Sequence, residues 1–146
     1  MNEDLYDKFP CVFQQKLKEH SIQFPEGTEF DYKSVLAYRV IFNAHDKTSI
    51  AREDFKSYFE LGKVPGKRRP GKSNVQNYLN IPEYYGISLF QDKRIAYLKF
   101  RMPNPSKKIC RGYVHSLGGP KKNGEDSHIT WWLFENADIS SFTIIE

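Results

Sequence analysis

An arginine interrupts an otherwise apolar, β-prone run. In "VLAYRVIF", residues 35–42, Arg39 falls on the same strand face as Val35, Ala37 and Ile41. A guanidinium in a strand covered on both faces is costly unless it is paired or stands at the mouth of a cavity. Its planar fork also holds phosphate through two parallel N–H donors and keeps its charge. Arg39 is therefore either a ladder or ion-pair arginine at a strand edge, or an anion clamp. A second unusual stretch is "SHITWWLF", residues 127–134, which sets the only two tryptophans side by side. In a strand, His128, Thr130, Trp132 and Phe134 share one face, and Ile129, Trp131 and Leu133 the other. Trp131 then belongs to the core. Trp132, with His128 and Thr130, is the candidate pocket wall, able to stack on a planar ring.

The loop between residues 63 and 72 carries a third possible chemistry. "GKRRPGKS", residues 66–73, fits the spacing of a phosphate-binding P-loop. That device needs a buried strand before it and a helix directly after. Here a helix end and a proline precede it, and a short polar segment follows. Five of the ten residues from Lys63 to Lys72 are Lys or Arg, a density suited to phosphate contact. Lys67, Arg68, Arg69 and Lys72 would track a nucleic-acid backbone, RNA or DNA, with Tyr78 stacking on an unpaired base. The plain alternative is a solvated surface loop.

These residues need elements to position them. Pro10 to Glu19 reads as a helix, with Pro10 at its first position and Phe9, Val12, Phe13 and Leu17 in an apolar stripe. Residues 34–43 read as a strand covered on both faces. Ser49 is the expected N-cap of a helix over 50–61 closed by Gly62, with Ala51, Phe55, Tyr58 and Phe59 inward. "YYGISLF" (84–90) reads as a buried strand, and Asp92 to Arg101 as a helix stopped before Pro103. "KICRGYVHSL", "SHITWWLF" and "SFTIIE" are the last three strands, and "LGGPKKNGED" is a turn-rich loop. The expected fold is α+β, one domain over 1–146, with a curved, mostly antiparallel sheet and two or three helices.

Bulk properties bound the rest. At 146 residues and 39% hydrophobic content, the chain can bury a core without metal or disulfide staples. A net charge of +4 leans mildly toward polyanionic partners. Cys11 and Cys110 form no C-x-x-C pair, so a structural zinc site is not expected and both thiols are read as inert. The polar start "MNEDLYDKFP" and the lack of an apolar run of ~20 residues suggest a soluble, cytoplasmic protein without membrane partners.

"AYR" in a first strand, then a helix, then "YGISLFQDKRIAYLKF" and three further strands resemble the small ADP-ribosyltransferase and RES-type NAD-binding folds. The resemblance runs over residues 36–145, through element order and two short motifs. It implies NAD as ligand, Arg39 as the phosphate clamp and Ser88 as the contact to the nicotinamide ribose. The family's Ser-Thr-Ser pattern stands here as Ile87-Ser88-Leu89, and its late glutamate has Glu135 as nearest candidate, with Glu125 in a turn. His115 and His128, thirteen positions apart beside Ser116 and Thr130, could meet across a hairpin. A histidine pair with hydroxyls also resembles two-histidine phosphoesterases, and a metal site there lacks a third ligand.

The leading expectation is a pocket for a phosphate-bearing, NAD-like nucleotide, holding Arg39, Ser88 and Trp132. Glu135 and His128 would serve any cleavage of the nicotinamide–ribose bond or transfer of ADP-ribose. The alternatives are a basic nucleic-acid-binding module and a protein-binding accessory or inhibitor domain.

Overall fold

The computed structural model describes residues 3–63 and 78–146. The fold is α+β, built on an open antiparallel sheet of six strands. In chain order they are β1 (Val35–Ile41), β2 (Ile87–Phe90), β3 (Lys108–Val114), β4 (Lys121–Asn123), β5 (His128–Trp131) and β6 (Thr143–Ile144). Across the sheet they run β4-β5-β2-β1-β3-β6. The helices are α1 (Glu3–Tyr6), α2 (Cys11–Lys18), α3 (Tyr58–Leu61) and α4 (Lys93–Lys99), and α1 and α3 are single turns.

Alternation along the strands splits the core. On one face Ala37 and Ile41 of β1, Leu89 of β2, Cys110 and Val114 of β3, and Ile129 and Trp131 of β5 pack under Ala44, Phe55 and Phe142. On the other face Val40, Phe90 and Ile109 receive Ala96 of α4, flanked by Ile95 and Phe100. Beyond the end of β5 a third cluster is almost wholly aromatic. Phe9, Phe13, Tyr84, Tyr85, Trp132 and Phe134 gather there with Leu17 of α2. Phe13 stacks on Tyr85 at 4.8 Å between ring centres.

Several expectations shift in detail. Pro10 is the N-cap of α2 rather than its first helical residue, with φ −54° and ψ 149°. The helix expected over 50–61 is broken in two. A 3-10 turn spans Arg52–Phe55, and α3 follows. Ser49 does not cap it. Ser57 does, its hydroxyl accepting the Glu60 N–H while the Glu60 carboxylate accepts the Ser57 N–H, a capping box. Gly62 closes α3 at φ 67°, as expected. The strand expected through Phe134 ends at Trp131, and the segment read as a loop before it contributes β4.

The two adjacent tryptophans are explained by that early strand end. Trp131 lies in the sheet core and its indole N–H donates to the Gly119 carbonyl at 3.1 Å. Trp132 leaves the strand, enters the aromatic cluster and donates to the Pro82 carbonyl at 2.8 Å. Both are 0% exposed, so protein covers both faces.

Candidate functional site

β1 and β2 pair in register only at Tyr38↔Phe90, and below that point no further pairing joins them. The gap is where Arg39 is used. Its Nε donates to the Asp54 carbonyl at 3.0 Å, its Nη1 donates to the Ser88 carbonyl at 2.8 Å, and the guanidinium lies over the Phe55 ring at 5.5 Å. A side chain thus satisfies carbonyls that neither strand nor helix satisfies there. Burial lowers the Arg39 pKa from its usual value, and the guanidinium remains charged.

A cleft of about 240 Å³ opens in the same gap. It is lined by Arg39, by Gly86, Ile87 and Ser88, by Val40, Phe42 and Phe100, and by residues 56–58, 61 and 63. Val40 and Ser88 stand on the α4 side of the sheet, as strand alternation requires. Among the described residues, three cations line the cleft, Arg39, Lys56 and Lys63, and no carboxylate does. Neither lysine side chain has an ion-pair partner among the described residues. A second cleft of about 420 Å³ continues from it past Arg39, Lys56 and Lys63 to Asn43, Lys47, Glu53 and Asp54. There Lys47 holds the carboxylates, 3.2 Å from Asp54 and 3.9 Å from Glu53.

Of the residues singled out from sequence, the structure brings three together. Arg39 bonds the Ser88 carbonyl, and the His128 ring, through Nε2, lies 3.0 Å from the Ser88 hydroxyl. His128 is half-buried against Phe90, and its pKa is lowered first by burial and then by the Lys99 ammonium. Trp132 does not join them, since it sits in the aromatic cluster with no exposed surface. Glu135 is exposed on the turn after β5, where its N–H donates to the Lys8 carbonyl, and it lines neither cleft.

His115 and His128 do not meet as a hairpin pair. β3 and β5 are separated by β1 and β2, and His115 packs on Trp131 at 5.6 Å, on the opposite face from His128. Its Nε2 bonds the Asp138 carbonyl at 2.8 Å. No group of three or more His, Cys, Asp and Glu that could hold a metal occurs among the described residues. Cys110 is buried, with its thiol pushed up to about 11 by desolvation.

Lys67, Arg68, Arg69 and Lys72, together with the P-loop-like stretch, lie outside the described residues. Tyr78 is half-buried and stacked on Tyr84 at 5.4 Å. Sequence reading missed Lys56, Tyr58 and Phe42 as cleft residues. Helical spacing puts Tyr58 inward on a continuous helix, yet the break at Ser57 turns it out to the cleft, 40% exposed. The S-x-x-E pattern of Ser57–Glu60 was the readable signal for that break.

No family model, curated protein or solved structure matches this chain. No helix among the described residues is long and apolar enough to cross a membrane.

Proposed function

We propose that the chain binds a phosphate-bearing nucleotide in the cleft between β1 and β2. The supporting observation is the lining, which among the described residues has three cations and no carboxylate, beside apolar and aromatic side chains at Phe42, Tyr58, Leu61 and Phe100. Lys56 and Lys63 supply mobile charge at the rim, where a phosphate keeps some hydration. Arg39 supplies fixed positive potential. Its Nε and Nη1 are committed to carbonyls, so its contribution is chiefly electrostatic rather than a bidentate clamp. Phe42 and Tyr58, both part-exposed, offer faces on which a base or nicotinamide ring can stack.

A volume of about 240 Å³ suits a nucleoside phosphate better than a whole dinucleotide. NAD would extend into the adjoining cleft toward Asn43 and Glu53. Transfer of ADP-ribose calls for a carboxylate at the ribose, and Glu135 does not line the cleft. Binding is accordingly the function proposed, with NAD as one member of the ligand class. Isothermal titration with ADP, NAD and inorganic phosphate is the test. Saturable binding that Lys56→Glu plus Lys63→Glu weakens at least about tenfold, ~1.4 kcal/mol, supports the reading. Equal affinity in the double variant, or no binding of any of the three, overturns it.

A further inference from the structure

We propose that Ser88 is a nucleophile activated by His128, and that the cleft cleaves a phosphate ester through a covalent Ser88 intermediate. The inference rests on the reading of the cleft as a phosphate-ligand site. It goes beyond that reading by assigning a reaction to two side chains that binding does not require.

Three observations carry it. The Ser88 hydroxyl and His128 Nε2 are 3.0 Å apart, within reach for direct proton transfer. They stand on strands held in register by Ser88↔Thr130 and Phe90↔His128, so the pair is set by the sheet rather than by a loop. Ser88 lines the cleft together with Lys56 and Lys63, whose ammonium groups are able to neutralise a phosphate's non-bridging oxygens as charge builds on phosphorus, while Arg39, bonded to carbonyls from the other face of the sheet, adds positive potential only. The imidazole is half-buried against Phe90, and among the described residues no carboxylate bonds its Nδ1, so the unit is a dyad rather than a triad. Desolvation, with Lys99 nearby, favours the neutral ring, the form that can accept a proton.

The step balances without any further reagent than water. The Ser88 oxygen attacks phosphorus, its proton passes to His128 Nε2, and the bond from phosphorus to the leaving oxygen breaks. The imidazolium returns the proton to that oxygen. Water, deprotonated by His128, then attacks the phosphoseryl ester, and Ser88 leaves with the proton.

Diisopropyl fluorophosphate is a suitable probe because it is uncharged and needs only the dyad. Incubated with the full chain and followed by intact-mass and peptide analysis, it should label Ser88 once. Ser88→Ala should take no label, and His128→Gln should label at least about 100-fold more slowly. In the wild-type chain the rate should rise with pH as the imidazole loses its proton, a readout that a purely structural histidine would not move. Among the described residues, the charged group acting on that ring is Lys99 on α4, whose ammonium lies 3.8 Å from the Asp126 carboxylate. An unlabelled wild-type chain, label confined to another residue, a pH-flat rate, or equal labelling of His128→Gln would each overturn the proposal. Failure of the dyad is separable from failure of the binding reading. An unlabelled chain that still binds ADP loses only the dyad, and a labelled chain indifferent to ADP loses the assignment of the phosphate ester as substrate.

Discussion

Arg39 shows how one side chain can hold a fold and charge a site together. Its two donated hydrogen bonds go to backbone carbonyls on different segments, Asp54 and Ser88, so it ties the turn after Ala51 to β2. Arg39→Met keeps the volume and leaves both carbonyls unpaired, each at a cost of about 1–3 kcal/mol. A fall of several degrees in the thermal midpoint is expected, read by calorimetry; an unchanged midpoint would show that water replaces the guanidinium at no cost. His128 gives a pH dependence whose sign follows from its depressed pKa. The unfolded chain takes up a proton near pH 6.5 that the folded ring resists, so stability is full above that value and declines as pH falls below it. His128→Gln should flatten this part of the profile of urea midpoint against pH between about 7 and 5; an unaltered slope would assign the effect to another group. In the sequence, Arg39 could be recognised as a misfit because its neighbours are apolar. Its partners could not, since carbonyls 15 and 49 positions away carry no residue-type signal.

At the scale of elements, the cleft exists because β1 and β2 separate after one paired position and because the chain between residues 52 and 61 breaks at Ser57. Ser57→Ala removes the hydroxyl that accepts the Glu60 N–H and should cost about 1 kcal/mol while loosening Tyr58 and Leu61 at the rim. Ligand affinity should fall with it, measured by the same titration; loss of stability with no change in affinity would remove α3 from the site. The connection into β4 is constrained more sharply. Gly119 has φ 141°, and a Cβ there would lie 1.9 Å from the Trp132 carbonyl oxygen. Gly119→Ala should therefore cost about 3 kcal/mol or more and displace the neighbouring Trp131 indole bond to the Gly119 carbonyl. Near-wild-type urea stability would contradict this. All the strands but β4, and α4, were legible from apolar runs and the stop at Pro103, because hydrophobic pattern and helix-breaking chemistry are local, while Asp92, read as the first residue of that helix, is its N-cap. The break at Ser57 was obscured by the helical spacing of Ala51, Phe55, Tyr58 and Phe59, which two short turns mimic. β4 was hidden because "KKN" is polar, and its pairing to β5 and the Glu29–Lys121 bridge supply what its composition does not.

Across the whole molecule, the hydrophobic clusters divide the labour. The sheet core and the α4 face hold the strands, while the aromatic cluster beyond β5 anchors α2 and the chain around Tyr84 and Tyr85. Neither tryptophan lines the two clefts at Arg39, although the first of them borders the aromatic cluster through Gly86, which packs against Trp132, and Lys63, whose carbonyl accepts the Tyr84 hydroxyl. Side-by-side tryptophans suggested a pocket wall because a strand would have continued; burial of both indoles is what the early end of β5 produces instead. The phosphate-bearing ligand proposed for the Arg39 cleft is most directly tested by amide chemical-shift mapping of the full chain titrated with ADP. Saturable shifts should concentrate at Phe42, at Lys56 to Lys63 and at Gly86 to Ser88, with the Trp131 indole N–H resonance unmoved. Shifts centred on the indoles and the aromatic cluster, or none at saturating ADP, would contradict the assignment.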